Sequence, residues 1–175
     1  KSIEEIVLVN FAGNFDAHEV YDKSNMVEWD QVLGKFLPAP LDFKQVPFSH
    51  PLYILYSSGT TGTPKCIVHS VGGTLLQHLK ELELHTDLKA SDILFYFTTC
   101  GWMMWNWLVS GLATGATLVL YDGAPVYPGP EVLWDITETE GITIFGTSAK
   151  YLTTIEKAGF RPRDNHNLET LKTIL

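Results

Sequence analysis

The amino-acid sequence predicts an α/β fold with a mostly parallel sheet and crossover helices. Short apolar runs alternate with longer segments of helical periodicity, which is how parallel strands and their connecting helices appear in sequence. The apolar runs are nearly continuous rather than alternating, as in strands covered on both faces. Of the 175 residues, 45% are hydrophobic and 18% are charged. This composition suffices for a domain with a core.

The predicted strands are short runs rich in Ile, Leu, Val, Phe and Tyr. They span residues 6–10, 52–57, 93–98, 116–121 and 142–145, and a last strand begins near Leu171. Two proline-rich stretches, 36–51 and 123–130, read as connectors because proline cannot donate to a strand ladder and disrupts helix interiors.

The predicted helices fill the intervals between strands. They span residues 25–33, 71–84, 103–113, 132–140 and 149–157. Ser24, Ser70 and Ser148 precede three of them as candidate N-caps. In the second helix, Leu75, Leu79 and Leu82 recur at spacings of four and three, which predicts a buried apolar face.

Residues 92–122 resemble a membrane-spanning segment at first sight, because no charged residue lies between Asp92 and Asp122. Glycines, Asn106 and several hydroxyl residues interrupt the stretch, and no Lys or Arg anchors its ends. A buried strand, a helix and a second strand explain the segment better, so we expect no membrane span.

Charge, cysteine content and histidine spacing indicate which partners, cellular location and metal sites to expect. The net charge of -8 and the pI near 5.1 argue against a nucleic-acid partner. Cys66 and Cys100 form no CxxC motif and indicate reduced thiols. Together with the absence of a signal peptide in the given sequence, they favour a cytosolic location. The histidines lack metal-ligand spacing, so no metal site is predicted.

The most informative segment follows the second predicted strand and precedes a helical segment. Its hydroxyl residues and glycines lead to a lysine, and backbone N–H groups, hydroxyls and a cation together can bind phosphate. It is no Walker A loop, because Pro64 and Cys66 stand where Gly and Ser or Thr are required. A flexible turn with a surface lysine is the alternative. The predicted phosphate contacts are Ser57, Ser58, Gly59, Thr60, Thr61, Gly62, Thr63 and Lys65.

The string from Tyr56 to Lys65 resembles the signature of adenylate-forming enzymes: acyl-CoA synthetases, peptide-synthetase adenylation domains and firefly-type luciferases. The resemblance implies that the loop binds the β- and γ-phosphates of ATP while a carboxylate attacks the α-phosphate. It also implies Mg²⁺, which would share the phosphate charge, although no ligand for this ion is visible in the sequence. Cys66 departs from the Gly usual at that position.

The segments 68–73, 101–107 and 118–123 are similar to those of acetoacetyl-CoA synthetases in particular. This resemblance implies acetoacetate, ATP and CoA as small-molecule substrates, and a role in ketone-body and lipid metabolism. It places Trp102, Met103 and Met104 against the acyl group. A helix packed in an ordinary core is the alternative explanation for this Trp and Met cluster.

The resemblance also suggests that residues 1–175 are a partial AMP-binding domain, truncated at both ends, from the large N-terminal domain of such an enzyme. The catalytic residues are then unknown and expected beyond Leu175, and the fragment alone is expected to be inactive. Three alternatives stay open: an acetyl- or short-chain acyl-CoA synthetase, a non-catalytic nucleotide-binding module, and a peptide-synthetase domain. The last is disfavoured because 101–107 holds no acid to contact an amine. Oligomeric state stays open.

Overall fold

The structure, a computed structural model, describes residues 3–11, 25–57 and 62–175. These residues form two compact units, 1–45 and 46–175. In the first unit, strand β1 (Ile6–Leu8) pairs in parallel with β2 (Met26–Glu28), and the short helix α1 (Trp29–Leu33) follows.

The start of the helix predicted at residues 25–33 is wrong. Residues 26–28 form a strand because Val27 pairs with Val7 in the parallel register, which a local pattern cannot reveal. The helix then begins where the Glu28 N–H donates to the Gln31 side chain at 3.4 Å. Ser24, the predicted cap, lies outside the described residues.

The second unit contains the parallel sheet that the sequence predicts. Its four strands are β5 (Ile93–Tyr96), β6 (Thr117–Val119), β7 (Ile144–Gly146) and β8 (Thr173–Ile174), in the spatial order β6-β5-β7-β8 and all parallel. Strands β5 and β6 are shorter than predicted, β7 begins two residues later and ends one residue later than predicted, and β8 begins two residues after the predicted start. The α/β class with parallel strands and helices is confirmed.

The crossover helices of this sheet also follow the sequence. Helix α3 spans Met103–Ser110 and continues as a 3₁₀ turn, Gly111–Thr114. Helices α4 (Val132–Glu140) and α5 (Ala149–Lys157) have the predicted bounds. The predicted cap at Ser148 is confirmed, because its hydroxyl accepts the Tyr151 N–H at 3.2 Å. The uncharged stretch 92–122 therefore resolves into strand, helix and strand, and among the described residues no helix has the length and apolarity to cross a membrane.

Residues on alternate sides of the central strands form two separate cores. Leu94 and Ile144 pack with Leu82 and Leu108, whereas Phe95 and Phe145 pack with residues of α4 and α5 such as Trp134. The Trp134 and Phe145 rings stack at a centroid distance of 4.7 Å. Strands β5 and β7 are thus buried on both faces, as predicted.

An antiparallel hairpin precedes this sheet, and only one of its two strands is predicted from the sequence. Strand β3 (Pro51–Ser57), which was predicted, pairs with β4 (Lys65–Ser70), which was not. The expected burial on both faces is wrong here, since Leu52, Ile54 and Tyr56 are half or more exposed. Because a strand separates the predicted phosphate loop from the next helix, the loop is a hairpin connection rather than a strand-to-helix turn.

Helix α2 (Val71–Leu79) follows the hairpin and continues as a π-helical segment, Lys80–His85. Its predicted Ser70 cap is confirmed by a 3.2 Å bond from the Gly73 N–H. The predicted face is only partly correct. Leu82 is fully buried, but Leu75 is 46% exposed, and the buried positions on α2 are Thr74 and His78, each 7% exposed.

A buried carboxylate fixes the amino ends of three strands. Asp92, just before β5, accepts hydrogen bonds from the Lys89 N–H (2.9 Å), the Thr143 hydroxyl (2.9 Å) and the Lys172 ammonium (2.6 Å). Thr143 precedes β7 and Lys172 precedes β8. The pKa of Asp92 lies below its usual value: burial raises it, but these hydrogen bonds and the Lys172 charge lower it by more.

Candidate functional site

The predicted phosphate loop connects the two strands of the hairpin. Ser57, the last residue of β3, lies opposite Lys65, the first residue of β4, so strand pairing fixes both ends of the loop. Gly62 has a φ of 101°, a conformation that favours glycine because it lacks a Cβ. Thr63 is exposed. The other predicted contacts lie outside the described residues: Ser58, Gly59, Thr60 and Thr61.

Lys65 is the predicted cation of the phosphate loop. The residue is exposed, and among the described residues it forms no salt bridge. Its charge therefore stays available beside the loop in a chain whose net charge is -8. A lysine ammonium is a compact point charge that binds phosphate without the fixed geometry of a guanidinium.

The amino end of helix α2 does not contribute to this phosphate site. Its first N–H groups bond within the protein: Val71 to the His50 carbonyl at 2.8 Å, and Gly72 to the Phe48 carbonyl at 3.0 Å. The Ser70 hydroxyl accepts a hydrogen bond from the next N–H group, that of Gly73. Because these donors are satisfied, the amino end of α2 offers no free N–H group to an anion, and the predicted phosphate contacts stay those of the loop and Lys65.

A groove of about 910 Å³ extends from the hairpin to α2 and α3. Tyr56, which immediately precedes Ser57 of the loop, lines it together with the predicted acyl-pocket residues Met103 and Met104. Leu175 at the carboxyl end of β8 also borders it. Ligands of parallel α/β sheets commonly bind beyond the carboxyl ends of the strands, and the groove has that position.

Trp102, the third predicted acyl-pocket residue, has a different environment. It is the N-cap residue of α3, is 48% exposed, and is not among the residues that border the groove. Its ring approaches Tyr96 edge-on at a centroid distance of 6.2 Å. Tyr96 and Trp107 do line the groove, and their rings meet edge-on at 5.9 Å. The structure thus brings two of the three predicted residues to the groove, and Trp102 supports its wall through Tyr96.

The wall that α2 contributes is polar, which the sequence analysis did not foresee. Thr74 and His78 lie one turn apart on the same face of the helix and both border the groove. The Thr74 hydroxyl is buried and has no hydrogen-bond partner among the described residues. The available signal was a threonine and a histidine four residues apart in a helix that is otherwise mostly apolar.

A hydrogen-bond chain fixes the His78 ring. Its Nδ1 lies 2.8 Å from the Ser110 hydroxyl, which donates in turn to the Asn106 carbonyl at 3.0 Å. Because the Ser110 proton is used in that bond, Nδ1 carries the imidazole proton and donates to Ser110. Burial lowers the pKa of His78, and nearby His69 lowers it further, against a raising effect of Glu81. The ring is therefore neutral at pH 7.

A metal site is not formed by the described residues. Within 3–11, 25–57 and 62–175, no group of three or more His, Cys, Asp or Glu side chains is arranged to hold an ion. A second concavity, about 810 Å³ in volume, is lined by residues such as Trp134, Phe160 and Arg161, and none of the predicted site residues borders it.

Comparison with known proteins identifies the family. A family model described as AMP-binding enzyme matches residues 2–175. The chain belongs to the AMP-binding enzymes. This membership agrees with the hairpin loop and its lysine, which the resemblance to adenylate-forming enzymes interpreted as a nucleotide-phosphate site.

Individual relatives within the AMP-binding enzymes are considerably longer. The acetoacetyl-CoA synthetase of Mus musculus is 54% identical over 99% of this chain, which spans 26% of that relative. The malonamoyl-CoA synthetase vrtB of Penicillium aethiopicum is 49% identical over 77% of this chain and 20% of its own length. The structure of acetoacetyl-CoA synthetase from Streptomyces lividans matches with a TM-score of 0.82 and 44% identity, covering 97% of this chain and 25% of that chain.

Proposed function

We propose that this chain is the phosphate-loop and acyl-pocket portion of an ATP-dependent acid–thiol ligase that converts acetoacetate to acetoacetyl-CoA. One observation carries the proposal: a single groove is bordered by Tyr56, next to the phosphate loop, and by Met103 and Met104. Such a groove accommodates an acid whose carboxylate faces the nucleotide and whose acyl chain lies against the methionines. The similarity to named acetoacetyl-CoA synthetases supports the choice of acid.

The proposed reaction has two steps. The acetoacetate carboxylate attacks the α-phosphorus of ATP, forming acetoacetyl-AMP and releasing pyrophosphate. The CoA thiolate then attacks the acyl carbon, and AMP leaves with the electron pair of the broken acyl–phosphate bond. Lys65 and the loop hydroxyls stabilise the negative charge that grows on the leaving pyrophosphate in the first step, which is a preorganised electrostatic role.

Mg²⁺ is expected to accompany ATP in this reaction. The family resemblance implies the ion, and it would neutralise phosphate charge when bound with ATP. Among the described residues, no group of three or more His, Cys, Asp or Glu side chains is arranged to hold it. The proposed contribution of this chain is the cation of Lys65 and the donors of the loop.

Malonamate is the second candidate acid. The Penicillium relative is named for malonamoyl-CoA, and its identity of 49% is close to that of the acetoacetate-named relatives. Acetoacetyl and malonamoyl groups have the same length and share a carbonyl at the β carbon, and they differ in a terminal methyl or amino group. Acetate and butyrate, which lack the β-carbonyl, represent the short-chain alternative.

The experiment measures AMP release by the full-length protein with ATP, CoA and each of the four acids. We expect the highest kcat/KM with acetoacetate. Lys65→Ala should lower kcat by roughly 10²-fold, the usual cost of removing one preorganised charge-stabilising group. Lys157→Ala, which removes an exposed lysine at the end of α5, is the matched control and should leave kcat unchanged.

Other outcomes would change the proposal. A preference for malonamate would replace the acid and keep the ligase chemistry. ATP binding without AMP release on any acid would favour a non-catalytic nucleotide-binding module. We further propose that the enzyme is cytosolic and acts in lipid metabolism. Residues 1–175 alone should form no acyl-adenylate, because this chain spans only 26% of the mouse relative. Adenylation by purified 1–175 would contradict that last point.

A further inference from the structure

We propose that the Thr74 hydroxyl donates a hydrogen bond to the β-carbonyl oxygen of the acyl substrate and so selects β-carbonyl acids over simple fatty acids. The inference deepens the proposed function and rests on it. It starts from the inverted pattern of α2, where Leu75 and Leu76 are 46% and 65% exposed while Thr74 is 7% exposed. An apolar side chain at position 74 would fill the same buried space, so core packing alone does not explain why this residue carries a hydroxyl.

The Thr74 hydroxyl has no hydrogen-bond partner among the described residues, although a helical threonine can usually donate to a nearby backbone carbonyl. Helical threonines often donate to the carbonyl four residues earlier. Thr137 does so to Leu133 at 2.7 Å, and Thr154 to Lys150 at 2.8 Å. Among the described residues, Thr74 Oγ1 has no partner. A buried polar atom left unpaired in a native structure is a candidate ligand contact, because a ligand can supply the missing partner.

Thr74 is one of the residues that border the groove in which an acyl chain would lie. Thr74 borders the same groove as Met103 and Met104, and α2 packs against α3. The His78–Ser110 hydrogen bond joins the two helices one turn beyond Thr74 and fixes their spacing. The methionine side chains can then hold the hydrocarbon atoms while Thr74 contacts a polar atom of the chain.

The chemistry of the substrate selects the β-carbonyl as that polar atom. In the proposed reaction, the carboxylate faces the nucleotide, which leaves the β-carbonyl oxygen as the remaining acceptor of acetoacetate. Malonamate has the same carbonyl at the same position, so one donor serves both of the acids for which relatives are named. A site built around a hydrogen bond rejects an analogue that lacks the acceptor more strongly than an apolar pocket rejects a size change.

The test compares acetoacetate with butyrate, which has the same chain length and lacks the β-carbonyl, using the full-length protein and AMP release. Thr74→Val removes the hydroxyl at nearly constant volume and should lower the ratio of the two kcat/KM values by about tenfold to a hundredfold. Thr74→Ser keeps a hydroxyl and should keep the ratio within a few-fold. Thr154→Val, on the exposed face of α5, should leave it unchanged.

The alternative outcomes separate the two proposals. If Thr74→Val lowers kcat/KM equally for both acids, or leaves the ratio unchanged, Thr74 has a packing role and the inference is wrong while the ligase function stands. If Thr74→Ser loses the ratio as Thr74→Val does, the hydroxyl is not the selecting group. If the unaltered protein activates none of the acids, the proposed function fails and this inference fails with it.

Discussion

Replacing Asp92 tests how the parallel sheet is fixed at its amino end. The carboxylate is 2% exposed and joins the segments before β5, β7 and β8 through Lys89, Thr143 and Lys172. Asp92→Ala leaves the Thr143 hydroxyl and the Lys89 N–H without their acceptor. Hydrogen bonds to an ionised carboxylate are stronger than neutral ones, but the Thr143 hydroxyl keeps the Ile93 carbonyl as a second acceptor at 3.2 Å and Lys89 is an exposed residue. We therefore assign each lost bond about 1 kcal/mol of unfolding free energy.

The ion pair adds less than its 2.6 Å distance suggests. The Lys172 side chain is 59% exposed and regains water when its partner is removed, so we assign it about 1 kcal/mol at most. The total loss is then about 2 to 3 kcal/mol. For a chain of this size, that lowers the thermal midpoint by roughly 5 to 10 °C. Asp92→Asn keeps an acceptor oxygen and should lose about 1 kcal/mol.

Acidic pH provides an independent check with a defined sign. The folded-state pKa of Asp92 is lowered, so its contribution to stability is fully present above the unfolded pKa of about 4 and is lost as the pH falls below it. Thermal unfolding at several pH values, followed by circular dichroism, should show a shallower acid limb for Asp92→Asn. Asp122→Ala removes an exposed carboxylate that forms no salt bridge among the described residues and is the surface control, expected to cost under about 0.5 kcal/mol. A midpoint shift below 2 °C for Asp92→Ala would refute this reasoning.

Two further predictions concern α2. Gly72→Ala should destabilise the protein by about 1 to 3 kcal/mol in thermal unfolding, because a Cβ there would overlap the Phe48 ring. Gly101→Ala is the control and should be nearly neutral, because nothing lies within 4 Å of the added atom. Equal shifts in the thermal midpoint of the two variants would contradict the overlap. The pKa of His78 is lowered in the folded protein, so the unfolded protein binds more protons at this residue and stability should fall as the pH drops below about 6.5. His78→Gln should make the thermal midpoint depend less steeply on pH in this range. An unchanged slope would contradict the lowered pKa.

The sequence predicts the elements whose signals are local. Helices α4 and α5 have the predicted bounds because residues close in sequence determine where they begin and end. Examples are the Ser148 cap of α5 and Gly141, whose left-handed conformation ends α4. The central strands β5 and β7 are continuous apolar runs and were found for that reason.

The missed elements depend on pairing between segments. Strand β4 has the sequence Lys-Cys-Ile-Val-His-Ser, is largely exposed, and takes its conformation from ladder bonds with β3. Strand β2 likewise takes its conformation from β1. A pattern read along the chain contains no information on these partners, so both were assigned to a helix or left without an element.

The candidate site divides in the same way. The loop string and Met103 with Met104 were recognised from residue order, and the groove joins their neighbourhoods. The polar wall was not predicted, because burial of Thr74 and His78 depends on how α2 is rotated. Local amphipathicity favours Leu75 at the buried position, and the tertiary structure overrides it.

The rotation of α2 has an identifiable physical cause. Its amino end is fixed by the bonds of Val71 and Gly72 to the carbonyls of His50 and Phe48, and the Phe48 ring lies where a Cβ of residue 72 would be. The helix therefore cannot turn Leu75 inward without breaking those bonds. Natural proteins violate local sequence rules mainly where function or strain requires it. Gly72, where the Phe48 ring approaches, and Thr74 lie within one turn of each other, so the contact that fixes the rotation of α2 also places Thr74 at the wall of the groove.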